Sequence, residues 1–191
     1  MHPPEETLAL ILAGGEGRRV ANRDKGLLQW RGKALVSHVI DRLQPQVSEI
    51  ILSCNRSKAS YAKFGLELVH DQREGFHGPL AGLESASRFN RSNYLIVVPC
   101  DTPLLPKDLV PRLLQPLLED REESRGVSYA HDGARDHYLC AAIRPGLLSS
   151  VGAQIDSGQR SVRAWYTQHQ PVRVDFSDQP DAFRNINHMN Q

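Results

Sequence analysis

The sequence predicts a three-layer α/β/α domain built on a mostly parallel central sheet. Three observations carry this. Residues 8–13 (LALILA) form a short unbroken apolar run that stops at Gly14-Gly15, the pattern of a strand buried on both faces. Strand-like and helix-like segments then alternate along the chain, as βα units do. The two loops richest in polar chemistry, after residues 13 and 98, both follow predicted strands, where open α/β sheets hold their ligands.

The elements follow in order. Over 34–47, Leu35, Val36, Val39, Ile40 and Leu43 fall at helical spacing, and 49–54 (EIILSC) returns to a strand pattern. A small helix near 58–64 and a strand at 66–69 come next. A helix is expected from Pro79 to about residue 90, because proline suits a first helical position, followed by a strong strand at 94–98 (YLIVV). Between 106 and 118, Leu109, Leu113 and Leu117 recur every four residues and predict an amphipathic helix. The remainder is less regular. Strands are expected at 126–130 and 138–143 around the turn Asp132-Gly133, a helix at 161–168 and a strand at 171–176.

A length of 191 residues predicts one domain over 1–191, at about 150 residues per domain. With 40% hydrophobic and 24% charged residues, the composition is that of an ordinary globular chain. The longest run without Asp, Glu, Lys or Arg is 145–155, only 11 residues, where a membrane-spanning helix needs about 20. Residues 1–6 carry two acids and no Lys or Arg, the wrong sign for a signal peptide, so a cytoplasmic protein with no membrane association is expected. Cys54, Cys100 and Cys140 are odd in number and far apart, which suits neither a disulfide framework nor a zinc knuckle, and they read as reduced core thiols. A formal charge of +1 argues against electrostatic capture of nucleic acid or anionic lipid. The balance fails in one place: between 18 and 33 stand Arg18, Arg19, Arg23, Lys25, Arg31 and Lys33 against the single acid Asp24.

That basic stretch follows Leu12-Ala13-Gly14-Gly15-Glu16-Gly17-Arg18-Arg19. Three glycines let backbone N–H groups approach an anion with no Cβ in the way. Arg18 or Arg19, with Lys25, would then neutralise a polyphosphate. The dinucleotide fingerprint fails here because position 20 is valine, and the Walker pattern fails because no Gly-Lys-Ser/Thr follows. The bland alternative is a glycine-rich strand-to-helix turn beside a solvated basic surface. Asp101, just past the strand at 94–98, is placed to hold a hard cation such as Mg²⁺, which commonly uses one or two carboxylates plus substrate phosphates. The competing reading is a turn or cap within Cys100-Asp101-Thr102-Pro103. Gly78-Pro79-Leu80-Ala81-Gly82 opens a helix with small residues that admit a planar base, or is an ordinary Gly-Pro helix start. Asp71 is a base or ribose acceptor or a cap. The eight histidines and the segment 131–137 suggest no zinc site; His131-Asp132-Gly133 reads as a hairpin or a substrate-facing loop.

Taken together, Leu12-Ala13-Gly14-Gly15-x-Gly-x-Arg, Asp24-Lys25-Gly26-Leu27, Gly78-Pro79-Leu80-Ala81-Gly82 and Pro99-Cys100-Asp101-Thr102-Pro103 resemble the molybdenum cofactor guanylyltransferases, from about residue 8 to the end. The first motif marks nucleotidyltransferases in general, with their Rossmann-like, glycosyltransferase-A-like fold. The second and third narrow the likeness to the molybdopterin branch. The resemblance implies transfer of GMP from MgGTP to the terminal phosphate of molybdenum-loaded molybdopterin, with release of pyrophosphate. It implies that Leu12, Ala13, Gly14, Gly15 and Lys25 bind GTP and that Asp71, Pro79, Leu80 and Gly82 lie against guanine or ribose. Asp101 would hold Mg²⁺, and Lys25, Asp101 and Arg19 would be the catalytic set. Ser53 stands where the family usually has a nucleotide-contacting Asn, with Asn55 as the possible substitute. Residues from about 8–105 would form the GTP and Mg²⁺ half and 106–191 the molybdopterin half, with Arg135, His137, Asn185 and Asn187 as pterin or phosphate contacts and Arg160 or Arg163 beside them. Val20-Ala21 and His137-Tyr138 depart from the family pattern. GTP and molybdopterin are the expected partners, with transient contacts to other cofactor-biosynthesis proteins and to apo-molybdoenzyme chaperones. Competing readings are a cytidylyl or sugar-1-phosphate nucleotidylyltransferase, a non-catalytic GTP-binding protein and, least favoured by the glycine spacing, a nicotinamide oxidoreductase.

Overall fold

The computed structural model describes residues 7–14, 24–75, 77–89 and 92–186. The apolar run becomes strand β1 (Thr7–Leu12). A hairpin of two-residue strands, β2 (Gln29–Trp30) and β3 (Lys33–Ala34), turns through Arg31 and Gly32, both at positive φ (48° and 80°), as a tight two-residue hairpin requires. Helix α1 (Leu35–Leu43) stops earlier than the predicted 34–47, because Pro45 cannot continue it. Then come β4 (Glu49–Ser53), the short α2 (Lys58–Tyr61), β5 (Glu67–Val69), α3 (Pro79–Ala86), β6 (Tyr94–Pro99) and α4 (Leu109–Leu118). The last part holds β7 (Val127–His131), β8 (Asp136–Ile143), α5 (Val151–Asp156), α6 (Val162–Tyr166) and β9 (Val172–Asp175).

Seven strands form one sheet in the order β5-β4-β1-β6-β8-β7-β9. The pairs β4·β5, β1·β4, β1·β6 and β7·β9 are parallel, while β6·β8 and β7·β8 are antiparallel. Alternate residues of each central strand feed opposite layers. Ala9, Ile11, Leu52, Ile96 and Val98 pack with Val36, Val39 and Leu43 of α1 and with Leu109, Leu113 and Leu117 of α4. Leu8, Leu10, Ile51, Leu95 and Val97 pack with Leu80 and Leu83 of α3, Val151 of α5 and Trp165 of α6. Burying both faces of a sheet is what makes its strands read as continuous apolar runs.

Two elements lacked a clear sequence signature: the β2–β3 hairpin, and the 3₁₀ turn Pro145–Ser150 with α5. Ser161 caps α6, its hydroxyl accepting from the Ala164 N–H at 3.2 Å. Buried Gln46 joins two elements. Its amide donates to the Arg42 and Pro106 carbonyls (2.8 and 3.0 Å), and its carbonyl accepts from the Val110 N–H (3.0 Å) in the first turn of α4. Among the described residues, no helix is long and apolar enough to cross a membrane.

Candidate active site

Parallel pairing brings the carboxyl ends of β1, β4, β5 and β6 to one edge. The Ala13 N–H donates to the Ser53 carbonyl (2.8 Å), the Cys54 N–H to Val69 (2.9 Å) and the Cys100 N–H to Leu12 (3.1 Å). Gly14, Asn55, Asp71 and Asp101 follow directly on these strand ends.

Lys25 and Asp101, 76 residues apart in sequence, meet on this edge with Nζ 3.2 Å from Oδ2. Lys25 begins a 3₁₀ turn, Lys25–Leu27, whose buried Gly26 lies flat against the residue before Asp101. A Cβ at Gly26 would stand 3.4 Å from both Cβ and Sγ of Cys100 and 2.5 Å from the Tyr61 hydroxyl. Only glycine lets the turn come this close. Behind the pair, Leu28, Trp30, Leu35 and Ile186 form a small apolar cluster that Leu104 joins. The Ile186 N–H donates to the Asp101 carbonyl at 2.9 Å, so the chain's last described segment, with exposed Asn185, is pinned to the aspartate loop.

Asn55 and Asp71 are mutually bonded. The Asn55 amide donates to the Asp71 carboxylate at 2.6 Å, and the Asp71 N–H donates back to the Asn55 carbonyl at 3.0 Å. Burial holds the Asp71 carboxyl above the ordinary range despite that hydrogen bond. Asn55 also borders the glycine loop, with Nδ2 3.2 Å from where a Gly14 Cβ would be.

Three candidate residues sit in the packing between the sheet and α3. Ser53 is 2% exposed and lies beneath α3, its Oγ 3.1 Å from the position of a Gly82 Cβ. Gly82 would also bring that Cβ within 2.7 Å of Leu12 Cδ2, so its smallness serves close helix–sheet packing. Leu80 is wholly buried among apolar neighbours. The expectation for 78–82 concerned its backbone rather than these side chains, and Ser53 Oγ also stands 3.7 Å from the position of a Gly14 Cβ. With Pro79 lacking an N–H and the Ala81 N–H donating to the Gly78 carbonyl (3.2 Å), the Leu80 N–H is what the start of α3 can offer a ligand. Pro79 takes the first helical position after Gly78, whose φ of 68° and ψ of −159° are open to glycine.

His137 and Arg135 lie on the β7–β8 hairpin. Asp132 accepts from the Ala134 and Arg135 N–H groups (2.8 and 2.6 Å) and pairs with His137 Nε2 at 2.7 Å. Burial would raise the Asp132 carboxyl, but the hydrogen bonds from His137 and the two N–H groups outweigh it and bring it down to about 2. The His137 ring stacks on Phe183, 4.7 Å between centroids, three residues before Ile186. Arg135 is exposed. Of the basic stretch, Arg31 stacks over Trp30 at 4.3 Å and Lys33 pairs with Asp41 at 2.9 Å, so both belong to the hairpin. Gly15, Arg18, Arg19, Arg23 and Asn187 lie outside the described residues. The three cysteines are buried and unbridged, with burial pushing the Cys54 thiol up to about 11 and those of Cys100 and Cys140 higher. Among the described residues, no group of three or more His, Cys, Asp or Glu could hold a metal unaided.

Residues 9–172 match the family model described as the MobA-like NTP transferase domain. A molybdenum cofactor guanylyltransferase of Shewanella piezotolerans is 44% identical over 94% of this chain and 86% of its own length. One of Shewanella baltica is 44% identical over 94% and 90% respectively. The chain belongs to the molybdenum cofactor guanylyltransferase family. It is therefore an enzyme of the nucleotidyltransferase class. The fold agrees: a solved structure titled molybdopterin-guanine dinucleotide biosynthesis protein A, from Archaeoglobus fulgidus, superposes with TM-score 0.76 at 20% identity, covering 94% of this chain and 92% of that one. A CMP:2-keto-3-deoxy-manno-octonic acid synthetase complexed with CTP gives 0.70 at 15% identity, covering 90% of both chains. Of the residues packed around the Lys25–Asp101 pair, the sequence pointed to no part for Asp24, Tyr61 or Ile186. Asp24 stood beside Lys25 in the motif, but Tyr61, in a helix of four residues, carries no signal of its own.

Proposed function

We propose that the chain transfers GMP from MgGTP to the terminal phosphate of molybdenum-loaded molybdopterin, forming the guanine dinucleotide cofactor and pyrophosphate. The observation that carries this reading is the Lys25–Asp101 pair at the carboxyl edge of the parallel strands, in a chain of this family. An oxygen of the pterin phosphate forms a bond to the α-phosphorus of GTP. The bond from that phosphorus to the bridging oxygen of pyrophosphate breaks, and pyrophosphate leaves with the electron pair. The attacking oxygen is already ionised at neutral pH, so no general base is needed. Catalysis comes from alignment and charge neutralisation.

The residues present fit a bound Mg²⁺. Asp101 offers one carboxylate, 10% exposed and already facing a cation, and a hard ion carried by a polyphosphate needs little more from the protein. Asp101 would hold it, and the bound ion would supply charge neutralisation at the phosphates. Lys25 orients the triphosphate and stabilises charge on the departing group, aided by the Gly14 N–H, since that of Ala13 is committed to the Ser53 carbonyl. Asn55 and Asp71, with the backbone start of α3, line the nucleoside side. Residues of about 8–105 serve GTP and those of 106–191 serve molybdopterin. Arg135, His137 and Asn185 would meet the pterin or its phosphate. His137→Ala is expected to raise KM for molybdopterin and leave KM for GTP unchanged.

A nucleoside triphosphate screen with Mg²⁺, read as thermal shift, tests the nucleotide. Stabilisation by GTP alone is expected, and a preference for CTP would overturn the guanylyl assignment. Near-normal GMP transfer by both Asp101→Ala and Lys25→Ala would overturn the site.

A further inference from the structure

The carboxylate of Asp24, which precedes Lys25, accepts a hydrogen bond from the Tyr61 hydroxyl. The Ser57 side chain also hydrogen-bonds to it. Ser57 stands at the start of α2 in left-handed backbone (φ 53°, ψ 29°), yet its side chain does not cap that helix. A serine there ordinarily accepts from the helix N–H groups, and holding a non-glycine residue in this conformation costs energy that the surrounding structure must supply. Here the hydroxyl is directed to Asp24 instead. Tyr61 is fully buried and closes α2. On the other side of Lys25, the same hydroxyl stands 2.5 Å from where a Gly26 Cβ would be. The phenol oxygen therefore holds the residue before Lys25 by a hydrogen bond and leaves no room for a side chain on the residue after it, while Gly26 lies on Cys100 and Lys25 Nζ reaches Asp101.

We propose that Tyr61, acting through Asp24, is the positioning residue that sets the Lys25 ammonium beside Asp101, and that Ser57 helps to secure the same carboxylate. The inference rests on the transfer reaction proposed above. Tyr61 touches no substrate. It acts by denying the 24–27 turn the freedom to slide along the strand edge, in a reaction where a displacement of about 1 Å costs roughly a hundredfold.

The test uses Tyr61→Phe, which removes the hydroxyl and keeps the ring. In the otherwise normal enzyme, kcat for GMP transfer is expected to fall about tenfold with KM for molybdopterin unchanged. In a Lys25→Ala background the same change is expected to cost nothing further, since Lys25 is what Tyr61 positions. A second readout needs no turnover. Limited acetylation of the folded protein, scored by peptide mass with Lys33 as internal reference, is expected to label Lys25 several times faster in Tyr61→Phe. An equal loss in both backgrounds, or an unchanged ratio of Lys25 to Lys33 labelling, would overturn the proposal and leave Tyr61 a packing residue. Should Tyr61→Phe not fold, Asp24→Ala is judged by the same two readouts. A normal enzyme that transfers no GMP would sink the functional reading, while the labelling ratio still decides the positioning.

Discussion

The Lys25–Asp101 pair predicts an asymmetry between stability and activity. The lysine side chain is 31% exposed and the aspartate 10%. Replacing Asp101 with Asn leaves an ammonium that water still reaches, so the cost should be that of a partly exposed ion pair, about 0–1 kcal/mol. Replacing Lys25 with Met withdraws a cation from a carboxylate with little water around it. That loss is closer to stranding a buried acceptor, about 1–3 kcal/mol. For a domain of this size about 2–4 °C of Tm accompanies each kcal/mol. Lys25→Met should then melt about 2–12 °C below the normal protein and Asp101→Asn less than about 4 °C below it. Mg²⁺ alone should recover part of the loss in Lys25→Met, by meeting the stranded carboxylate, and none in Asp101→Asn. Both variants should lose GMP transfer, followed as pyrophosphate release. Melting curves by circular dichroism decide the matter: equal losses, or a larger loss for Asp101→Asn, would refute the view that the lysine neutralises a carboxylate poor in solvent.

Other expectations follow from packing and burial. Gly82→Ala places a methyl 2.7 Å from Leu12 Cδ2 and 3.1 Å from Ser53 Oγ; overpacking of this kind costs about 1–3 kcal/mol, readable as a lower midpoint in urea. His169 is partly buried, against Trp165 (5.1 Å) and within 3.4 Å of Ser150 Oγ, and burial lowers its pKa from the ordinary 6.5. Below about pH 6.5 the unfolded chain takes up a proton that the fold resists, so stability falls as pH drops through that window, and His169→Gln should flatten the fall. Cys54, Cys100 and Cys140 are buried with raised thiols. A disulfide reagent at pH 8 should find all three only after denaturation, and rapid reaction of the native protein would contradict their placement.

The central fold was legible because burial on both faces writes itself into composition. β1 and β6 are apolar runs, and Leu109, Leu113 and Leu117 mark α4 at helical period. Where burial is shallow the signal fades. α5 is six residues long, opens Val151-Gly152-Ala153 and buries only Val151, Gln154 and Ile155, too few for a period to show. The β2–β3 hairpin was hidden for another reason. Its Arg31 and Lys33 enlarged a basic stretch that read as a phosphate cluster, yet these two cations serve Trp30 and Asp41.

For the site, residue type was a better guide than exposure. Asp101 and Lys25 could be singled out because a carboxylate past a strand and a lysine after a glycine loop are the groups phosphate chemistry needs, but nothing local says that two residues 76 apart will touch. Ser53 and Asn55 show the limit more sharply. Both are small polar residues at the end of β4, two positions apart. Ser53 ends the last strand rung under α3, and Asn55 is the first residue free of the sheet, bonded to Asp71. In a sheet covered on both faces, alternation does not separate an inward residue from an outward one. What separates these two is Gly82, whose missing side chain draws α3 down onto Ser53. How deeply each of the two side chains is packed is thus decided by a contact on another element, which a reading of β4 by itself does not contain.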